Sequence, residues 1–226
     1  MDEVIQRFPG GLVAPEQWLD LLAPKLPNVP PDLIKHEVLG ILRDFCKRGG
    51  VWRDWLKPIV ISGVVREYIL ETGNPGDEVT SVLSVVDQTS TLPLTPWPPE
   101  LAVPLHMITH GGQPKRFWQT QPDRVFFDPC PAGTDFATVS AYVTLAPLDL
   151  CSSPQWFLSE HQYAIVDGVL GRMLRVAGPN YRPTDAGVHW TQYISARNAA
   201  RTRSIAGYNR AQARPNFPYF AKGSQR

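Results

Sequence analysis

Few of the patterns that mark an enzyme, a secreted scaffold or a membrane protein occur in this chain. Its three cysteines, Cys46, Cys130 and Cys151, are an odd number with no CxxC spacing. That excludes a disulfide framework and a zinc site as readings of the sequence and points to synthesis in a reducing cytoplasm. No run approaches the roughly 18 apolar residues of a membrane span, and the start, MDEVIQRFPGG, lacks the basic residues and apolar core of a secretory signal. No membrane insertion is expected. GxSxG, GxGxxG and the phosphate-loop pattern are all missing. His106 and His110 stand four apart in HMITH, but without the glutamate of a metalloprotease helix and in sequence that reads as strand or loop. The HGGQPK stretch around Gly111 and Gly112 reads as a hairpin turn. His36 and Glu37 are neighbours on a helix and project in different directions. Cys130 lies between two prolines with no His or Lys nearby to activate it. No catalytic residue, cofactor or metal is expected.

Acid is also absent, over one long stretch. From Ala186 to the C-terminus there are six Arg and one Lys and no Asp or Glu, although the whole chain carries only +1. The remainder is therefore net acidic, and the charge is segregated along the chain. Proline, by contrast, is abundant, 23 residues against 17 glycines, which favours stiff turns and extended connections.

The residues that are present predict an α+β fold. PEQWLDLLA opens a short helix at Pro15, with Trp18, Leu21 and Leu22 on one face. In VPPDLIKHEVLGILRDFCKRGG the apolar residues Ile34, Val38, Ile41, Leu42 and Phe45 keep helical spacing, Pro31 and Asp32 mark the start, and Lys47, Arg48 and Gly49 the end. Between Pro58 and Pro147 the pattern changes to short β-branched and aromatic runs, IVISG, VVREYIL, VTSVLSVVD, KRFWQTQ, RVFFDP and TVSAYVTLAP, expected as antiparallel strands. The PLTPWPPELAVPL insert is too rich in proline for a central strand and reads as an extended surface loop, with Trp97 as its anchor or as a contact for a partner. A third helix is expected from Ser153 as cap and Pro154 as first helical residue to Val176, ended by Gly178 and Pro179. A last helix is expected from Thr184 to about Ala213, roughly 40 Å long, with Trp190, Ile194, Arg201, Ile205 and Tyr208 along one side. The resulting organisation is an N-terminal arm (1–14), an antiparallel helical bundle (15–56 and 150–214), an inserted antiparallel β-rich region (57–149) and an extended C-terminal arm (215–226).

Three features of the helical part invite a functional reading. The third helix carries Ala164, Gly168 and Gly171 beside an apolar stripe of Val166, Val169, Leu170 and Met173. Each interior glycine costs about 1 kcal/mol relative to alanine, so a close helix approach is expected to offset it, either with the helix of residues 31–46 or with a neighbouring subunit. On the last helix, Arg203, Arg210 and Arg214 share one row, and Arg197 and Arg201 another. Such an acid-free helix suits nucleic-acid phosphates or an acidic protein surface, with an ordinary solvated helix face as the plain alternative. In PNFPYFAKGSQR, Phe217, Tyr219 and Phe220 sit among prolines in an extended aromatic tail that is either tucked back onto its own fold or offered to a partner, with the partner favoured.

The order of these features resembles the head-to-tail adaptor (connector) proteins of tailed bacteriophages, of the tail tubular protein A type. The likeness rests on PPDLIKHEVLGILRDFC followed by VWRDW, on the β-rich centre with VTLAP, and above all on AIVDGVLGRML paired through a Gly-Pro turn with a second helix. It covers roughly residues 15 to 210, and the insert from Trp97 to Val103 has no clear counterpart. The resemblance implies a virion protein, made in the host cytoplasm, that forms a ring of usually twelve copies between portal and tail or nozzle proteins and extends the channel for genome ejection. It implies that Phe217, Tyr219, Phe220, Lys222 and Arg226 dock on the portal protein. It also implies that Arg197, Arg201, Arg203, Arg210 and Arg214 face portal acids or the passing genomic DNA. An arm that orders on docking would couple ring assembly to portal binding. The alternative class is a nucleic-acid-binding protein that uses the basic C-terminal helix.

Overall fold

Both ends of the first long helix follow from its sequence. Helix α2, Pro31–Gly49, begins with a proline whose missing N–H costs nothing in the first turn and has Asp32 there. It stops where Gly50 takes a left-handed φ of 57° and donates its N–H to Cys46 O at 2.8 Å. Ile34, Val38, Ile41, Leu42 and Phe45, the expected stripe, are all buried. Helix α1, Pro15–Leu22, buries Trp18 and Leu22 and packs beside α2, with Gln17 Oε1 accepting the Ala14 N–H at 3.3 Å.

The structure, a computed structural model, describes residues 11–62, 67–97, 112–129 and 136–206. Over these residues the chain is α+β with antiparallel sheets, apart from one short parallel pair. The spine of the first four-stranded sheet is β8, Phe136–Pro147. Along one edge it pairs with β4, Asp77–Asp87; along the other it pairs in succession with β1, Arg53–Trp55, and β2, Ile59–Ser62. Ala137, Val139, Ala141, Val143 and Leu145 alternate along β8 and are buried, which is the two-residue period of a sheet with one covered face. Helix α2 packs against β8, so one core joins helices and sheet. The second sheet runs in the order β3 (Glu67–Ile69), β7 (Arg124–Asp128), β6 (Arg116–Gln121), β5 (Thr95–Pro96). The proline-rich β5 is confined to the edge, where a missing N–H breaks no ladder. There Trp97 anchors to its own sheet: its N–H donates to Phe117 O at 2.7 Å and its ring lies 6.4 Å from that of Trp118 and 4.6 Å from Arg116 Cζ.

Helices α3, Gln155–Met173, and α4, Pro183–Ala206, complete the helical layer. Phe157 of α3 stacks on Trp156 at 4.1 Å and meets Trp52 edge-on at 5.9 Å, which ties α3 to the end of α2 and the start of β1. The small residues explain the rest of the packing. A Cβ on Gly168 would lie 2.7 Å from Ile41 Cγ2 of α2 and 2.9 Å from Tyr193 Cδ2 of α4. A Cβ on Gly171 would lie 2.9 Å from Trp190 N and 3.0 Å from Trp190 Cα, against backbone that cannot rotate away. The close partner of this face is thus α4 as much as α2.

Several sequence expectations are corrected. VWRDW, assigned to the helical part, contains strand β1, because Arg53–Trp55 pairs with Thr144–Tyr142. The last residues of the stretch assigned to the N-terminal arm (1–14) are held in the fold: Val13 is buried and its N–H donates to Ser153 O at 2.8 Å, while Gln155 N–H donates to Gly11 O at 3.0 Å. Ser153 does not cap α3, since its buried Oγ has no partner and Pro154 occupies the cap position. A 3₁₀ turn, Leu150–Ser152, leads in instead, capped by Asp149, whose Oδ1 accepts the Ser152 N–H at 2.8 Å. Helix α3 stops at Met173 rather than Val176, and α4 starts at Pro183 with Thr184 inside its first turn. The buried stripe of α4 is Ala186, Tyr193 and Ala200, a seven-residue spacing, whereas Arg201 and Ile205 are exposed.

The two environments of glycine on the α3–α4 pair predict opposite effects of the same substitution. Gly171→Ala forces backbone apart and is expected to cost about 1–2 kcal/mol net. Gly187→Ala on α4 has no heavy atom within 4 Å of the new Cβ, and is expected to gain up to about 1 kcal/mol from helix propensity. Urea unfolding of the two variants checks the sign of each.

Candidate interaction surfaces

Asp44 on α2 is the polar hub between helices. Its Oδ2 accepts from Tyr193 Oη at 2.6 Å and from Arg197 Nη1 at 2.8 Å, and its Oδ1 lies 2.9 Å from Arg48 Nε. Burial, then the hydrogen bond to Asp44, push the Tyr193 phenol well above its ordinary range, so it stays a protonated donor. Arg197, expected on an outward basic row, is turned inward: its side chain is 11% exposed and its Cζ lies 5.6 Å from the Tyr193 ring. The α3–α4 contact has a second link, His189 Nδ1 at 2.8 Å from Asp167 Oδ1, while Arg172 of α3 reaches Glu37 of α2 at 3.5 Å.

Beside this hub, where α2 ends, lies a basic cleft of about 520 Å³. Lys47, Arg48 and Arg53 line one side and Arg197 and Arg201 the other, with Leu83 and Ile205 at its apolar margin and no carboxylate in the lining. The walls are tied together by Gly50 O, which accepts from Arg53 Nε at 2.8 Å and from Ser204 Oγ at 2.6 Å. Two stretches far apart in sequence, 47–53 and 197–201, thus bring their cations to one place.

A second cleft, about 580 Å³, opens where strands β3, β4 and the β6–β7 turn meet. Glu71, Asp77, Glu78 and Asp123 line it with Leu70 and Leu148, and no Lys, Arg or His does. Glu78 stands between the two clefts. Its Oε1 accepts from Arg43 Nη2 at 2.7 Å and lies 2.8 Å from Lys47 Nζ. Burial alone would raise its carboxyl, but the bonds from Lys47 and Arg43 outweigh that and hold it below the ordinary carboxylate range.

The structure brings together only part of the sequence-derived set. Ala164, Gly168 and Gly171 are buried in the helical layer, Arg201 and Arg203 are exposed, and Arg197 is internal. Arg210, Arg214, Phe217, Tyr219, Phe220, Lys222 and Arg226 lie outside the described residues, as do Cys130, His106 and His110. Among the described residues no group of three or more His, Cys, Asp or Glu is placed to hold a metal ion, and no helix is long and apolar enough to cross a membrane. Cys46 is buried, and burial followed by the nearby charges of Asp77 and Glu78 raises its thiol well above the ordinary range, which keeps it an inert packing residue. Sequence reasoning missed Lys47, Arg48 and Arg53 as a surface; their clustering in KRGGVWRD around the glycine pair was the available signal, read there as a helix end. No protein-family model matches this chain, and no curated protein matches it either.

Removing the hub carboxylate leaves an internal guanidinium and a phenol unpaired, so Asp44→Ala is expected to cost about 3 kcal/mol. Tyr193→Phe, which leaves the Asp44–Arg197 pair intact, is expected to cost about 1 kcal/mol. Denaturant titration separates the two. The Glu78 contribution is present above the ordinary glutamate pKa of 4.5 and is lost as pH falls through its lower folded value. Stability therefore drops in acid below that point, and Glu78→Gln, already lacking the contribution, is expected to show a shallower pH dependence in that window.

Proposed function

We propose that this chain is a structural virion protein, a subunit of the head-to-tail adaptor ring that joins portal to tail or nozzle in a tailed bacteriophage. The fold supports the reading as a helical layer with an inserted β-rich region, the organisation that the resemblance in PPDLIKHEVLGILRDFC and AIVDGVLGRML implies. The observation that carries it is the α3–α4 pair, seated on Gly168 and Gly171 and bolted to α2 through Asp44. A block so fixed suits an assembly part that bears load without changing shape. Beyond Asp185, α4 exposes Val188, Arg201, Arg203 and Ile205 around its circumference with no acid among them, a surface suited to an acidic partner or to DNA in the channel.

In this reading, identical copies meet by unlike surfaces around a rotation axis, and such contacts close into a ring, with twelve copies as the expected number. The C-terminal arm, 215–226, supplies the portal contact through Phe217, Tyr219, Phe220, Lys222 and Arg226. The role is structural rather than catalytic, and the protein is expected to be monomeric at micromolar concentration and to assemble on the portal. The basic cleft favours one second reading, a nucleic-acid-binding protein that uses Arg201 and its neighbours against phosphates.

Co-sedimentation with the portal protein of the same phage tests the first reading. The full-length chain is expected to join the portal ring, and a version ending at Arg214 to be lost from it. Binding of neither version to the portal, together with steeply salt-dependent binding of the full-length chain to duplex DNA, would replace the adaptor with the nucleic-acid reading.

A further inference from the structure

The two clefts are opposite in sign and lie on one chain, and each keeps some charged side chains that no ion pair takes up among the described residues: Arg53 and Arg201 in one, Glu71 and Asp123 in the other. Around the basic cleft, six cations, Arg43, Lys47, Arg48, Arg53, Arg197 and Arg201, face two carboxylates. Asp44 takes Arg48 and Arg197, and Glu78 takes Arg43 and Lys47. That leaves Arg53 and Arg201 with no carboxylate among the described residues; Arg53 spends only Nε, on Gly50 O. Around the acidic cleft, Glu71 is exposed and Asp123 half-buried, with no basic side chain in the lining. Each cleft also has an exposed aliphatic residue at its edge: Leu83, 41%, and Ile205, 67%, on the basic side, and Leu148, 44%, on the acidic side.

We propose that the basic cleft of one copy of this chain receives the acidic cleft of the next. Arg201 and Arg53 present guanidinium forks to Glu71 and Asp123, and Leu148 packs against Leu83 and Ile205, giving a small apolar centre with a charged rim. A nucleic acid would account for the basic cleft alone; a second copy accounts for both, since each chain carries the two halves. Because the halves differ, the contact is heterologous, and it supplies an addressable joint for the ring proposed above, on which reading the symmetry rests. Exposed charge pairs contribute little affinity and much orientation, so the joint is weak in free solution and takes hold when copies are gathered on a template.

The test is a charge swap on the full-length protein, read by sedimentation velocity over a range of protein concentrations. At low ionic strength the wild-type chain is expected to self-associate at high concentration and to lose that association in high salt. Arg201→Glu and Asp123→Arg, each a surface change, are each expected to weaken association about tenfold or more, and the double variant to recover most of it. Lys25→Glu, the same change of charge on a surface away from both clefts, controls for net charge. Absence of association at low salt, association untouched by the single variants, or failure of the double variant to recover overturns the pairing. Rings that are indifferent to salt and to these variants overturn the pairing and leave the ring reading standing. Charge-dependent dimers that never grow larger keep the pairing and remove the ring. Loss of duplex DNA binding in Arg201→Glu with self-association unchanged assigns the basic cleft to phosphate and overturns the pairing.

Discussion

The distance at which α3 can approach its neighbours governs much of this structure. With no side chain at Gly168 and Gly171, the Tyr193 ring and the Trp190 backbone of α4 come within a Cβ's reach of α3. That approach carries Tyr193 to Asp44 and aligns Arg197 beside it. Glycine is unfavourable inside a helix, and the packing it permits offsets the cost: three helices share one buried contact region in place of two helices with a wider gap. The polar hub then adds direction to what dispersion alone would leave free to slide, because a carboxylate with donors on two elements has few arrangements that satisfy all of them.

A second consequence follows from where α4 is set down. With its N-terminal half seated on α3, its C-terminal half passes the end of α2 and is held there by Ser204 on Gly50 O. Cations from α2, β1 and α4 then converge, while the carboxylates at the start of β4 and at the turns after β3 and β6 collect elsewhere. Glu78 joins the two regions mechanically, since Arg43 and Lys47 of α2 both hold it. Charge is thus segregated in space, although Lys47, Arg48 and Arg53 come from outside the acid-free C-terminal stretch. If copies assemble as proposed, such a polarity would orient neighbouring copies before any apolar surface is buried.

The adaptor reading joins these physical properties to one task. A ring between a filled head and a tail needs subunits that keep their shape, two unlike lateral faces and a separate contact for the portal. In the proposed assembly the helical layer would serve the first requirement, the two clefts the second, and the arm at 215–226 the third.

Much of this was legible from residue order alone. Pro31, Asp32 and Gly49 mark α2 because capping and backbone preference act within a few residues, and period-two alternation gives β8 for the same reason. The segregation of acid is likewise written in the sequence, whereas the proline-rich stretch reads there as a surface loop and gives no sign that Thr95–Pro96 pairs with β6. What lay beyond it depends on contacts between distant segments. Arg53–Trp55 is too short to announce itself as a strand and exists because Thr144–Tyr142 lies alongside. Ile205 has the spacing of a buried residue but faces outward, since the neighbouring helices took the Ala186, Tyr193 and Ala200 side. Arg197, which by spacing belongs to a basic row, became internal because Asp44 sits across from it. Local free energies set where helices and strands begin and end; only the tertiary structure decided which charges meet, because charge pairing is a property of positions in space that sequence separation does not encode.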